Sequence, residues 1–320
     1  MMQDRPILGV VMDPLHSIHP EKDTTLALLF EAQARGFELQ YLELPHLFLR
    51  YGHAWGYSCS LTLHPNTLPF FTLGTASSRP LDDFDVLLMR KDPPVTAEYL
   101  YATYILEQAE QNGCLVINKP QALRDANEKL FTHWFPQCIP PTVVSALPTL
   151  LRDFVAEQEV AVLKPLDGLQ GQRVFKCRID DPNLMVIIQL LTNNGTLPVM
   201  AQYYVPEIAA GDKRILLING DPVPYALARV PAAHDFRGNL AQGATGIGVE
   251  LSDRDWWICE QIGPMLREKG LFFVGIDIIG EYLTEINVTS PTCLRELEKF
   301  SGLNIAGLVF DAILNELPKA

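Results

Sequence analysis

Glu285 and Asn287 lie two residues apart in the apolar stretch FFVGIDIIGEYLTEINV (Phe272–Val288). On a strand that spacing puts both side chains on one face, where their oxygens suit a hard cation such as Mg²⁺. Asp277 joins the face if the turn at Gly280 has an odd number of residues, such as Gly280-Glu281-Tyr282. A two-residue turn sends it to the other side. With Ile276, Ile278, Ile279, Ile286 and Val288 around them, three oxygen-bearing side chains read as a metal site on a buried sheet face. A half-exposed strand with solvated acids is the weaker reading of this spacing.

Five further segments carry charge or loop chemistry where a charged ligand could be held. In LKPLDGLQGQRVF (Leu163–Phe175) a lysine ends an apolar strand and a loop with Gly168 and Gly171 follows. Its backbone N–H groups can approach phosphate oxygens while Lys164 supplies a point charge. The lysine precedes the glycines, so this is not a Walker A loop, and taken alone a glycine turn explains it equally well. Lys129 falls on the first turn of a helix that Asp125 and Glu128 would cap, where the helix dipole disfavours positive charge unless an anion is bound. In the hairpin around Asn219-Gly220, an even-numbered turn puts Arg214 and Arg229 on one face. Two guanidiniums so placed repel unless an anion sits between them, or unless Asp212, Asp221 or Glu207 neutralises them in a surface network. Arg237–Gly248 (RGNLAQGATGIG) is too rich in glycine and small residues to build a core and reads as a mobile lid. Finally, Met89–Pro94 (MRKDPP) and Tyr101–Thr103 follow a strand, where open α/β sheets hold charged small molecules.

The elements that must position these residues follow from periodicity and punctuation. Strands over Ile7–Met12, Phe37–Leu42, Val86–Met89 and Leu115–Asn118 alternate with helices over Thr24–Arg35 and Ala97–Asn112, which predicts an open α/β layer with a largely parallel sheet. Gly52 to Arg79 reads as an irregular insertion with short strands. A capped helix follows Asp125, and then a small α+β unit with a helix over Pro148–Glu157, strands at Val160–Leu163, Val174–Cys177 and Val199–Val205, and a helix near Pro182–Leu191. Hairpins from Asp212 onward, a helix over Asp253–Lys269, the strand pair of Phe272–Val288 and a closing helix near Ile305–Asn315 complete the chain. The expected fold class is therefore α/β and α+β in three parts, 1–124, 125–203 and 204–320.

With 320 residues, 25 Lys+Arg and 38 Asp+Glu, the formal charge is −13, which argues against a face that follows a nucleic-acid backbone. An apolar content of 48% excludes disorder for most of the chain. No apolar run approaches the ~20 residues of a membrane span, so a soluble, cytoplasmic protein is expected. The six cysteines form no C-x-x-C pair and no zinc-spaced cluster, and read as isolated reduced thiols. His16 and His19 have no companion ligands and receive no role.

Taken together, the segments resemble the ATP-grasp ligases, and more closely the bacterial glutathione synthetases. The resemblance runs through VMDP (Val11–Pro14), EAQARG (Glu31–Gly36), LLMRKDPP (Leu87–Pro94), YATYILE (Tyr101–Glu107), NKPQALRDANEKLF (Asn118–Phe131), LKPLDG (Leu163–Gly168), GDKR (Gly211–Arg214), RGNLA (Arg237–Ala241), FVGIDIIG and LTEINVTSPTC. It implies an amino-terminal substrate-binding domain followed by a two-part ATP-grasp fold. It also implies ATP-dependent ligation of γ-glutamylcysteine and glycine to glutathione through an acyl phosphate, with release of ADP and phosphate. Such chemistry needs charge neutralisation more than a protein nucleophile, in keeping with the lack of any Ser/His/Asp or Cys/His arrangement.

By the same resemblance, Lys129, Lys164, Asp167, Gly168, Gly171 and Asp212 face the nucleotide phosphates and Gln202, Tyr203, Tyr204 and Val205 the adenine. Asp277, Glu285 and Asn287 are implied as ligands of two Mg²⁺ ions, with Mn²⁺ as the other candidate, and Arg214 as the residue stabilising the transferring phosphoryl group. Arg229, Arg237, Ser290, Pro291 and Thr292 belong to the peptide pocket, with Asp13, Arg90, Lys91 and Asp92 on its amino-terminal side. Family members form homo-oligomers, usually tetramers. Two departures stand out: Gln170 replaces a glycine of the usual D-G-M-G-G loop, and Gly243-Ala244-Thr245-Gly246 replaces the usual Gly-Gly-Arg-Gly of the lid. They keep open a related ATP-grasp ligase with another acidic peptide and amine. A nucleotide-binding regulatory protein is a third reading, which the retained metal and phosphoryl residues disfavour.

Overall fold

The computed structural model describes residues 5–168, 171–233, 235, 237–238, 240 and 243–317. Three sheets organise them. The first is built on β1 (Ile7–Val11), β2 (Glu38–Leu42), β3 (Leu47–Arg50), β4 (His53–Leu63), β5 (Phe71–Leu73), β6 (Ser77–Pro80), β7 (Val86–Met89) and β8 (Leu115–Ile117). Its order is β3-β4-β2-β1-β7-β8, with β5 and β6 also paired to β4. The β2-β1-β7-β8 part is parallel, as the alternation with helices α1 (Thr24–Ala34) and α2 (Ala97–Gln111) requires. Asp23 starts α1 by accepting a hydrogen bond from the Leu26 N–H at 2.6 Å.

The stretch from Gly52 to Arg79 is more regular than its sequence suggests. β4 is an 11-residue strand whose inward positions include Gly56 and Ser58 as well as Ala54, Leu61 and Leu63. A Cβ at Gly56 would meet Leu42 and Leu81 side chains at 2.6 and 2.9 Å, and Ser58 Oγ donates to buried Gln40. Small and polar residues on the covered face erase the apolar alternation that marks a strand.

A short helix α3 (Pro120–Asp125) leads to the second sheet. That sheet comprises β9 (Thr142–Ser145), β10 (Val160–Pro165), β11 (Phe175–Arg178) and β12 (Val199–Tyr203) in the order β11-β10-β12-β9, all antiparallel. Helices α4 (Pro148–Gln158) and α5 (Leu184–Leu191) bury Leu151, Val155, Leu184, Ile188 and Leu191 against Ala161, Leu163 and Ala201. These residues form a core of their own.

The third sheet, β15-β14-β13-β16-β17, consists of β13 (Asp212–Ile218), β14 (Asp221–Val230), β15 (Thr245–Glu250), β16 (Phe273–Ile279) and β17 (Tyr282–Asn287). Helix α6 (Asp253–Lys269) begins at a Ser252/Asp255 capping box and ends at left-handed Gly270; α7 (Leu294–Ser301) and α8 (Ile305–Glu316) close the chain. Side chains of the first and third sheets share two large apolar clusters, one of them joining Leu87, Met89 and Leu106 to Ile215, Val274 and Ile286. Among the described residues no helix is long and apolar enough to cross a membrane. The expected lid is in part a strand, because Thr245–Glu250 pairs with β14, and Gly248 is covered by the Phe300 ring. Asn239, Ala241 and Gln242 of that stretch, and Leu169 and Gln170 of the glycine loop, lie outside the described residues.

Candidate active site

The three sheets enclose a cavity of about 700 Å³. Its floor is the third sheet. The β16–β17 turn is the two-residue Gly280-Glu281, which by itself would separate Asp277 from Glu285. A bulge between Asp277 and Ile278 restores the pairing: Thr284 is the extra residue, its hydroxyl donates to the Asp277 carbonyl at 3.1 Å, and Asp277 stands opposite Glu285 with Asn287 two residues further on the same face. Asn287 Nδ2 donates to Asp277 Oδ2 at 3.2 Å.

The β13–β14 hairpin turns through Asn219-Gly220, and both halves of its register keep the odd parity that puts Arg214 and Arg229 together. The anion between them is Asp277. Arg214 grips it through Nε and Nη2, the latter at 2.9 Å, and Arg229 Nη2 lies 3.0 Å from Asp277 Oδ1 and 2.6 Å from Asp212 Oδ2. Burial pushes the Asp277 pKa up, but the two guanidiniums outweigh burial and hold it well below the usual carboxylate range. Asp212 goes the other way: burial raises it, and the like charge of Asp277 opposes the help it receives from Arg229. Lys213, on the opposite face, pairs with Asp255.

Lys129 and Lys164 flank Glu285. Lys129 Nζ sits 3.0 Å from Glu285 Oε1 and donates to the Gly168 carbonyl at 2.8 Å; burial lowers its pKa, but Glu285 more than restores it. Lys164, 8% exposed, donates to Gln202 Oε1 at 3.1 Å, and burial depresses its pKa. The helix expected after Asp125 is a 3-10 segment, Leu130–Trp134, and the cap is different too. Asp125 closes α3, while Asn127 Oδ1 accepts from the Lys129 and Leu130 N–H groups. Glu128 instead reaches across: its Oε1 accepts from Val288 N, Thr289 N and Thr289 Oγ1, and its carbonyl from Ile286 N. That buried carboxylate therefore fixes the end of β17. Local spacing pointed to a cap, and only the fold reveals the distant partner.

Gln202, Tyr203, Tyr204 and Val205 line the wall given by the second sheet, with Val162, Val174, Gly168 and Gly171. Arg237 faces the cavity, held by Asp235, and donates from Nη1 to the Gly171 carbonyl at 3.1 Å, so the two loops meet. On the amino-terminal side, Asp13, Arg90 and Asp92 line the cavity together with Asp23, Thr24 and Thr25, which sequence reasoning missed. Buried Arg90 donates to Thr25 Oγ1 and to the Pro291 carbonyl, at 3.0 and 2.9 Å. Ser290 and Thr292 are lining residues. Three expected residues are not: Lys91 pairs with Asp13 at 2.8 Å, Asp167 turns outward to Arg173, and Pro291 contributes through its carbonyl to Arg90. Tyr101 and Thr103 are also remote, Tyr101 exposed and Thr103 bonded to Arg124. The described cysteines are all free thiols.

Two carboxylates and an amide oxygen on one sheet face form a hard donor set that fits Mg²⁺. Among the described residues no three His, Cys, Asp or Glu side chains converge as a metal site, so this donor set depends on Asn287 as its third member. The adjoining lysines and arginines suit the phosphates that such an ion accompanies.

Residues 7–124 match the N-terminal domain of the prokaryotic glutathione synthetases, and residues 128–302 match their ATP-grasp domain. The glutathione synthetase of Pseudomonas syringae pv. tomato is 54% identical over 310 residues, 97% of this chain and 97% of its own. That of Coxiella burnetii is 53% identical over 300 residues, 94% of each. Among solved structures, the ATP-grasp ligase PsnB, complexed with a phosphomimetic variant of its minimal precursor, Mg and ADP, superposes with a TM-score of 0.61 over 98% of both chains. At 20% identity that likeness concerns the fold alone.

Proposed function

The chain belongs to the prokaryotic glutathione synthetase family and is an ATP-dependent ligase of glutathione synthesis; from that premise we propose how its residues divide the work. The cysteinyl carboxylate of γ-glutamylcysteine attacks the γ-phosphate of ATP, ADP leaves, and the amine of glycine opens the resulting acyl phosphate to give glutathione and phosphate. Arg214 neutralises charge on the transferring phosphoryl group. Lys129 and Lys164 draw the nucleotide phosphates, with Gly168, Gly171 and Asp212 around them, and Gln202–Val205 borders the adenine. Arg90, Arg229 and Arg237 hold carboxylates of the peptide beside Asp13, Ser290 and Thr292.

Asp277, Glu285 and Asn287 would hold Mg²⁺ or Mn²⁺, two ions by family resemblance, which when bound neutralise phosphate charge. Residues 1–124, 125–203 and 204–320 serve as substrate-binding domain, small ATP-grasp subdomain and carboxy-terminal subdomain. We place the enzyme in the cytoplasm as a homotetramer, again by family resemblance.

One observation carries this reading: Lys129, Lys164, Arg214, Asp277, Glu285 and Asn287, drawn from separate segments, line a single cavity. ADP release with γ-glutamylcysteine and a panel of amine acceptors, with and without Mg²⁺, tests it. Glycine is expected to give the fastest release, and only with the metal. No ADP with any pair defeats the assignment, and a clear preference for another amine makes the protein a related ligase.

A further inference from the structure

The cavity contains many acids, and almost all are engaged. Asp13 pairs with Lys91, Asp23 caps α1, Asp212 and Asp277 hold guanidiniums, Glu285 holds Lys129 and Glu128 accepts backbone donors. Asp212 keeps a second buried oxygen, Oδ1, without a hydrogen-bond partner, but its carboxylate is paired with Arg229. Glu296 is different in having no cation paired with it among the described residues. It lies in the first turn of α7, lines the cavity, and its buried Oε2 has no hydrogen-bond partner. In the same cavity, Arg229 shows the complementary defect, a buried Nε with no acceptor. The Cys293 thiol feels both: burial raises its pKa, the fields of Arg214 and Arg229 lower it, and that of Glu296 raises it. Helix α7 packs directly on β14, the strand of Arg229.

A buried carboxylate oxygen without a donor and a buried guanidinium N–H without an acceptor are each costly. One ligand group satisfies both, an α-amino acid end with its ammonium and carboxylate on the same carbon. In the reaction proposed above, the γ-glutamyl end of the dipeptide is such a zwitterion, and it takes no part in the bond changes. We infer that Glu296 binds the α-ammonium of the γ-glutamyl group while Arg229 takes its α-carboxylate, making Glu296 a specificity determinant. This inference rests on γ-glutamylcysteine being the substrate.

The test compares binding of γ-glutamylcysteine and of glutarylcysteine, the same molecule with the ammonium replaced by hydrogen, in calorimetry with a non-hydrolysable ATP analogue and Mg²⁺. Glu296→Ala should weaken γ-glutamylcysteine by about 30-fold or more. The isosteric Glu296→Gln should weaken it by about tenfold, and neither variant should change glutarylcysteine affinity more than about twofold. Unchanged affinity for γ-glutamylcysteine, or an equal loss for both dipeptides, overturns the inference. Nucleotide-analogue affinity reports that the variants are folded. A wild-type protein that binds γ-glutamylcysteine yet releases no ADP defeats the ligation mechanism and leaves this comparison standing.

Discussion

The second and third sheets face each other across the cavity and are held in opposite ways. The third is locked to the first. They share apolar clusters, Asn118 bonds Phe273 N, Phe273 O and Val288 O, Arg90 reaches Pro291, and Glu128 fixes β17. The second has a core confined to its own strands and helices, and meets the rest through polar contacts such as Lys164 to the Thr284 carbonyl and Arg237 to Gly171. The charged groups that must be placed to a fraction of an ångström stand mainly on the locked sheet. The facing wall, proposed above to cover the nucleotide, is the separable one, and it carries a single buried lysine, Lys164. On the proposed mechanism, rigidity lies where charge develops and freedom where a ligand enters.

Breaking the locked side at its chemistry should have the largest effect. Glu285→Gln should reduce turnover by about 10⁴-fold. Glu285 is about a quarter exposed, so the urea midpoint should change by no more than about 1–2 kcal/mol of stability. Turnover within about tenfold of wild type in an ADP-release assay would remove Glu285 from the metal site. Next is Arg214→Ala, expected to lower turnover by about 10³-fold. It leaves Asp277 buried with one guanidinium fewer, at a cost of about 3–5 kcal/mol by urea unfolding. Loss of activity without loss of stability would contradict the structural half of its role.

The separable wall should respond differently. Lys164→Met is expected to raise the KM for ATP by about 10–100-fold. Burial already disfavours the Lys164 ammonium, so stability should be unchanged or higher. A destabilised K164M would mean that this wall, too, depends on its charge. Leu151→Ala tests the mechanical side. Leu151 is fully buried in the separate core, and its truncation should cost about 2–5 kcal/mol locally. Amide exchange should accelerate in β9–β12 and remain as in wild type in β13 and β16, whereas acceleration in both would join the two sheets into one cooperative unit.

Much of this was legible in the sequence where one element decided the outcome. The odd register parity of the β13–β14 hairpin follows from the Asn-Gly turn and correctly brought Arg214 to Arg229. The identity of their shared anion did not, because Asp277 comes from a neighbouring strand. Asp277 and Glu285 face each other only because Thr284 bulges, and nothing in the composition of YLTEIN marks that extra residue. The three-residue spacing of Asp125 and Glu128 satisfies a capping box, yet Glu128 serves Val288 and Thr289, some 160 residues away. The full length of β4 escaped because Gly56 and Ser58 occupy covered positions that apolar periodicity assigns to larger side chains. Short-range patterns place side chains on faces, and the partner across the site is a property of the fold.

The smallest expected effect tests whether Glu128 is an anchor of the locked side. Burial pushes its pKa above the ordinary 4.5, against the pull of its Thr289 and Val288 donors. The native state therefore holds this proton more tightly than the unfolded chain, so its contribution to stability is fully present below pH 4.5 and is lost as pH rises through the folded-state value. Glu128→Gln keeps an oxygen acceptor for the same donors but cannot titrate. Urea midpoints taken from pH 4 to pH 8 should show the wild type losing about 1 kcal/mol relative to E128Q as pH rises, with the change confined to the range above 4.5. A wild type that gains stability relative to the variant over that range would mean that the donors at β17 outweigh burial, and that the carboxylate anchors the strand more strongly charged than neutral.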